Sequence, residues 1–259
     1  MEPAVQTDPW QHLRRLTAAR LALGRTGGSL PTPEVLAFAH DQALARDAVH
    51  AGFAAAPLAA ALQTLHEPVL VLTSAAPERA AYLRRPDLGR RLSSESRGLL
   101  AAHPVQPWDL VVMVSDGLSA LAAERQAPPL LAELLPLLRA AGFELGPLCV
   151  VSGARVALQD EIGSILSARQ SLMLLGERPG LGTPDSLGAY LTYGPRPGRT
   201  DADRNCVSNI RPGGLPPVPA AGILARLLLA SRHHQLSGVR LKDEPPAIGQ
   251  CETAGALRP

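Results

Sequence analysis

Asp109-Leu110-Val111-Val112-Met113-Val114-Ser115-Asp116-Gly117 is an apolar run closed by a serine, an acid and a glycine. Apolar residues at every position, rather than at every second one, mark a strand buried on both faces, and such strands belong to parallel sheets covered by helices. The pattern predicts a strand over 109–114 and a helix over 118–124. It then repeats, with a helix over 129–141, a turn at Gly142, a strand over 148–151, a tight turn at Gly153, a helix from about 158 to 168 and a strand over 171–175. Buried runs separated by helices imply crossover connections, so the fold class expected is α/β, a Rossmann-like parallel sheet flanked by helices. A last helix is predicted over 217–233, and the residues after Ser237 read as a tail.

Towards the N-terminus the chain reads as mainly helical. Leu13, Leu16, Leu21 and Leu23 recur among Arg14, Arg15 and Arg20 until residues 24–28 stop the pattern. A second helix is expected after Pro31, with Thr32 as N-cap, Pro33 at the first helical position and Glu34 in the first turn. An alanine-rich segment, 51–65, extends the helical region; Val69-Leu70-Val71-Leu72 reads as a short strand, and 82–96 as a polar, turn-like piece. The division expected is a helical docking region over 1–104, a Rossmann-like domain over 105–240 and a C-terminal tail over 241–259.

Composition excludes several classes. A chain of 259 residues that is 46% hydrophobic can bury a large core. The 25 Lys plus Arg against 23 Asp plus Glu leave a net charge of +2, and aromatics make up 3%, so the clustered basic face and stacking side chains of a nucleic-acid binder are missing. No apolar stretch reaches the roughly 20 residues of a membrane helix, and Glu2 and Asp8 stand where a signal peptide is basic and then apolar. Cys149, Cys206 and Cys251 lie far apart without a CxxC pair, which suggests neither a disulfide framework nor a zinc site. The chain therefore reads as soluble and intracellular. Lys242 is its sole lysine and lies in a polar stretch near the C-terminus, so neither a phosphate-loop lysine nor a Schiff-base lysine is available.

The strand over 171–175 opens into Gly176-Glu177-Arg178-Pro179-Gly180-Leu181-Gly182-Thr183-Pro184-Asp185, and the stretch ends at Asn205-Cys206-Val207-Ser208-Asn209-Ile210. A buried strand followed by a glycine- and proline-rich loop is the usual layout of a ligand-binding edge in an α/β sheet. Other candidates have plainer readings. Ser115 lacks the flanking glycines of a nucleophile elbow, so Ser115 or Asp116 is expected to cap the following helix. His233 and His234 are adjacent and point to different helix faces, which fits a polar helix end better than a metal site. Glu177 and Arg178 suit an internal ion pair or a ligand equally well, and Cys206 either a small buried residue or a binding one.

Residues 153–163, Gly153-Ala154-Arg155-Val156-Ala157-Leu158-Gln159-Asp160-Glu161-Ile162-Gly163, together with 176–187 and 205–214, closely resemble the small subunit of ethanolamine ammonia-lyase. Earlier pieces agree in order: Thr17-Ala18-Ala19-Arg20, Gly24-Arg25-Thr26-Gly27, Arg85-Pro86-Asp87-Leu88-Gly89-Arg90-Arg91 and Ser115-Asp116-Gly117-Leu118-Ser119. The resemblance covers roughly residues 10 to 240. It implies a non-catalytic small subunit that pairs with a large barrel subunit in a hetero-oligomer and holds adenosylcobalamin between them. The large subunit would carry the substrate site, where the radical chemistry of the cofactor turns ethanolamine into acetaldehyde and ammonia. The family's cofactor contacts fall here on Val156, Glu177 and Cys206, with no catalytic residue and no protein metal ligand. The compartment implied is the cytoplasm, with packaging in a bacterial microcompartment left open.

The residues are compatible with that assignment. Val156 and Glu177 follow the ends of two predicted strands, so loops at one sheet edge would bring them together. A corrinoid, rimmed by amides and carrying a nucleotide tail, wants backbone polar groups, a carboxylate acceptor and glycines that allow close approach. None of the histidines, at 12, 40, 50, 66, 103, 233 and 234, lies in the Asp-x-His-x-x-Gly turn of cobalamin enzymes that displace the cofactor's base. The cofactor is therefore expected base-on. Two alternatives use the same chain differently: a stand-alone nucleotide-binding enzyme, disfavoured by the lack of G-x-G-x-x-G after the first strand, and a purely structural partner subunit.

Overall fold

The computed structural model describes residues 5–104 and 106–243. It is an α/β fold in which one six-stranded sheet is covered on both faces by helices, after a helical N-terminal region. In chain order the elements are α1 (Thr32–His50), α2 (Ala55–Gln63), β1 (Val69–Thr73), α3 (Arg79–Arg84), α4 (Ser94–Ala101), β2 (Leu110–Ser115), α5 (Ala120–Ala140), β3 (Leu145–Ser152), α6 (Leu158–Ile165), β4 (Gln170–Gly176), β5 (Leu187–Tyr193), β6 (Arg204–Ile210) and α7 (Pro217–His234). The strand order is β1-β3-β2-β4-β5-β6. The first four strands run parallel, whereas β5 and β6 are antiparallel to their neighbours, so the sheet is mixed.

Two buried clusters sit on opposite faces of the sheet. One joins α2, α5 and α7 to the side of β2 that carries Leu110, Val112 and Val114. The other packs Leu100 of α4 and Leu158 and Ile162 of α6 on the side that carries Val111 and Met113. Every residue of β2 and of β4 is buried, which is why 110–114 and 172–175 read as unbroken apolar runs.

Several expectations change, among them the cap of α1, which is Pro31 and not Thr32. Residues 13–23 form no α-helix; a 3-10 turn at Gln11–Arg15 gives way to irregular chain, with Ala22 and Gly24 at positive φ. Leu16 is 81% exposed, so the leucine pattern there has no surface to pack on, and short helices without one are marginal in water. The two helices expected over 118–124 and 129–141 are one, α5, which continues through Pro128, Pro129 and Pro136. An interior proline costs about 3 kcal/mol. Burial of Leu130, Leu131, Leu134, Leu135 and Leu138 at about 1.5–3 kcal/mol each, with Ala120, Ala122, Ala123 and Ala127 buried beside them, is large enough to offset three such costs.

The piece over 82–96 is more ordered than its composition implies, comprising the end of α3, a 3-10 turn at Leu88–Arg90 and the start of α4. There the Ser93 hydroxyl accepts from the Ser96 N–H at 3.1 Å. Finally, the parallel sheet does not end at β4. The chain returns as β5 and β6, pairing Gly176 with Leu187 and Tyr190 with Cys206. Residues 238–243 are held to the body by Asn205, whose side chain donates to the carbonyls of Gly238 and Leu241, and by an Arg226–Asp243 ion pair. Of the tail expected over 241–259, residues 244–259 lie outside the described residues.

Candidate functional site

The carboxyl ends of β2, β3 and β4 are tied together by Ser115 and Asp116. Neither caps α5; that role falls to Ser119, whose hydroxyl oxygen accepts from the Ala122 N–H at 3.2 Å. Instead the Ser115 hydroxyl donates to Asp116 at 2.9 Å and accepts from the Ala154 N–H at 3.1 Å, while Asp116 accepts from the Gly153 N–H at 2.7 Å. The other Asp116 oxygen takes Arg79 at 2.7 Å. Burial pushes the Asp116 carboxyl up, against the opposing pull of the Gly153 N–H and Arg79. The turn after β2 also presses on the end of β4: a Cβ on Gly176 would collide with the carbonyl oxygens of Ser119 and Asp116. Glycine is required there by close approach.

These clamps fix two turns of the rim side by side. Val156, three residues past the Gly153 turn, and Glu177, directly after β4, line one concavity of about 410 Å³ together with Tyr82, Leu118, Arg155 and Tyr190. Cys206 is not among its lining residues. It stands opposite Tyr190 in the β5–β6 register and is exposed. Register partners project to the same face of a sheet, and Tyr190 packs on the cluster under α6 with Val156. Cys206 therefore continues the concavity outward as an open shelf.

Glu177 does not pair with Arg178. Its Oε2 accepts from the Ser186 hydroxyl at 2.5 Å and from the Asn209 N–H at 3.3 Å, and its backbone N–H donates to the Ser186 carbonyl at 2.9 Å. Oε1 lies over Gly188, where an added Cβ would come within 3.0 Å of it. Among the described residues Oε1 has no hydrogen-bond partner, so one carboxylate oxygen braces the loop and the other is left as an acceptor. The loop itself is pinned, since the Ser119 hydroxyl donates to the Pro184 carbonyl at 2.7 Å. Burial, then the neighbouring Cys206 and Glu177, pushes the Tyr190 phenol up, and burial likewise raises the Cys206 thiol. Both groups are thus neutral near pH 7.

Sequence reasoning did not single out Tyr82, Arg155 or Tyr190. Tyr82 is 1% exposed and lies under the rim, its hydroxyl donating to the Ala154 carbonyl at 3.2 Å, with the Arg155 guanidinium 4.4 Å from its ring centroid. Only the tertiary fold brings residues 82 and 155 together; Tyr190 had a signal, the strand-forming run Tyr190-Leu191-Thr192-Tyr193. The two histidines end α7, both exposed, their ring centroids 4.8 Å apart. Among the described residues no helix is long and apolar enough to cross a membrane.

Sheet order and rim define a Rossmann-like α/β protein whose parallel half ends in an open concavity and whose antiparallel extension forms a shelf beside it. The family model for ethanolamine ammonia-lyase light chain (EutC) matches residues 7–242. The chain is 51% identical to the ethanolamine ammonia-lyase small subunit of Azotobacter vinelandii over 98% of its own length and 94% of that protein's. Against the small subunits of Ralstonia nicotianae and Xanthomonas campestris pv. campestris the figures are 52% over 93% and 91%, and 50% over 97% and 94%. This chain belongs to the ethanolamine ammonia-lyase light chain family.

Proposed function

We propose that the chain is the small subunit of an adenosylcobalamin-dependent ethanolamine ammonia-lyase and that it holds the cofactor, base-on, against a large subunit that carries the substrate site. The observation that carries this reading is the pairing, at one rim, of a half-free carboxylate with an exposed shelf. Glu177 Oε1 offers an acceptor to the amide fringe of a corrinoid, Gly188 leaves room above the strand, and Cys206 borders the open side. Val156 supplies an apolar contact beside them.

When bound, the cofactor supplies the radical chemistry. This chain's part is to orient it: Glu177 fixes the macrocycle's edge, the Ser186 and Asn209 contacts hold Glu177, and the Asp116 clamp holds the Val156 turn in register with it. Docking onto the large subunit falls to the N-terminal region. There α1 buries only Ala48, and Trp10, Leu16, Val35, Leu36 and Phe38 are exposed.

The reading is tested by co-expression with a family large subunit. Acetaldehyde release from ethanolamine that requires both chains and adenosylcobalamin is expected, with nitrogen coupling from dimethylbenzimidazole in the electron spin resonance of the cobalt. Release by the large subunit alone at the same coenzyme affinity would refute the cofactor-holding role.

A further inference from the structure

At the opposite end of the sheet from the rim, α7 and the chain that follows it enclose a cavity of about 280 Å³. Gln170, the first residue of β4, donates to the Leu228 carbonyl of α7 at 3.3 Å, and its register partner Tyr193 donates its N–H to the Ser237 hydroxyl at 2.8 Å. Glu177 stands beyond the other end of that seven-residue strand, roughly 20 Å away at about 3.3 Å per residue. One wall of the cavity is a stripe of α7, Arg226, Ala230 and His234, spaced by four so that all three share a face. The other is Arg240, Leu241, Lys242 and Asp243. That second wall is fixed: Leu241 is buried, and Asn205 donates to the Gly238 and Leu241 carbonyls at 3.1 and 2.9 Å and accepts from the Gly238 N–H at 2.7 Å.

The charge of this cavity is one-sided. Arg226, Arg240 and Lys242 line it with a single carboxylate, Asp243, and His234 adds its ring nitrogens. Arg226 already holds Asp243, through Nε at 3.0 Å and Nη2 at 2.8 Å, so one end shows an oxyanion seated on an arginine fork. Arg240 and Lys242 are exposed and have no carboxylate partner among the described residues, and α7 carries no acidic residue. Elsewhere arginines face an acid, as Arg79 does Asp116, Arg97 Glu161, Arg139 Glu67 and Arg169 Asp109. Three cationic heads against one carboxylate leave an excess of two, which equals the net charge of the whole chain, +2. The carboxyl end of α7 offsets about half a charge, too little to cancel that excess. Ala230, with no side chain past Cβ, keeps the middle of the stripe open.

We infer that this cavity binds a phosphate dianion, free or as the monoester end of a small molecule, through Arg240 and Lys242, with His234 as a further donor. The planar fork of Arg240 suits two phosphate oxygens and Lys242 acts as a point charge. A dianion matches the uncompensated charge, and the Asp243 carboxylate disfavours a larger polyanion. A water molecule takes about 30 Å³, so 280 Å³ exceeds what the five heavy atoms of a phosphate fill and leaves space for the start of an ester chain. The site is independent of the corrinoid reading, since it lies at the other end of the sheet; its failure would leave Val156, Glu177 and Cys206 as they are.

The test titrates inorganic phosphate and methyl phosphate into the full chain, alone and assembled with a family large subunit, by calorimetry at constant pH and ionic strength. One saturable site is expected in both preparations below about 10 mM, the range that two charge-assisted contacts support. Arg240→Gln and Lys242→Gln should each weaken it at least about tenfold, the loss of one such contact. Arg15→Gln, an exposed arginine outside the cavity, should leave it unchanged. Phosphate should also raise the unfolding temperature of the parent chain and not of the two cavity variants, whose unliganded unfolding temperatures should match the parent's and so show that they fold. Methyl phosphate binding at least as tightly as inorganic phosphate identifies a monoester as the occupant, and weaker binding the free ion; either supports the site. Equal affinity in the parent and both cavity variants, or no saturation in that range, overturns it. Binding that appears only in a Glu244→Gln, Glu252→Gln double variant overturns it too, because the chain's own carboxylates would then be the occupant. So does binding lost on assembly, which would put a group of the large subunit in the cavity.

Discussion

The carboxylate of Asp116 accepts the backbone N–H of Gly153 at 2.7 Å, joining the turn after β2 to the turn after β3. The same carboxylate is the partner of the part-buried Arg79 guanidinium. Breaking one half of a buried pair leaves an uncompensated charge, at about 3–5 kcal/mol. Asp116→Asn is therefore expected to lower unfolding stability by about 3 kcal/mol in urea denaturation, with the loss discounted from the upper end because Arg79 keeps some solvent contact. A change under about 1 kcal/mol would show that the clamp is dispensable.

A second buried pair locks β6 to α6. Arg204 donates to both oxygens of Asp160, at 2.8 and 2.6 Å, and to the Thr192 hydroxyl at 2.9 Å, with both charged side chains 3% exposed. Asp160→Ala should cost about 3–5 kcal/mol and free the shelf that bears Cys206. Hydrogen exchange is expected to rise selectively in 204–210; unchanged protection there would mean that β6 is held by its ladder alone.

Gly188→Ala tests the space above β5. The added Cβ would lie 3.0 Å from Glu177 Oε1 and from Tyr190 Cε2, so the carboxylate must shift. Stability should change by less than about 1 kcal/mol, since alanine suits a strand interior better than glycine, while corrinoid affinity of the complex falls roughly tenfold. Titration of adenosylcobalamin against the variant complex reads both.

Cys206 is open to solvent, yet burial of its thiol, helped by the Glu177 charge and opposed by Tyr190, pushes its pKa up. The folded protein thus favours the protonated thiol. That preference contributes fully below the ordinary cysteine range and is lost as pH rises through the raised folded value. Because the thiolate is the nucleophile, iodoacetamide labelling at Cys206, followed by peptide mapping, should still be climbing at a pH where an unfolded cysteine has levelled off. Cys149, fully buried and pushed up to about 12, should stay unlabelled. Labelling of Cys206 that levels off at the unfolded pH would contradict this environment.

β2, β4 and the last helix were legible because burial on one or both faces leaves a direct trace in residue type, as 110–114 and 172–175 illustrate. The prolines of α5 misled because local propensity is outvoted by a long leucine face whose partner, α7, lies some ninety residues on. β5 was obscured by the glycine- and proline-rich loop before it. Positions after strands, such as Val156 and Glu177, could be placed on the rim from sequence. The place of Tyr82 under the rim could not, since its contacts with Arg79 and Arg155 exist only once α3 is folded beneath the Gly153 turn.

The most direct measurement is a structure of the reconstituted complex with adenosylcobalamin bound. The account predicts the corrin edge within about 4 Å, ordinary contact distance, of Val156, Glu177 and Cys206. A macrocycle seated away from that rim, with those three side chains untouched, would contradict it.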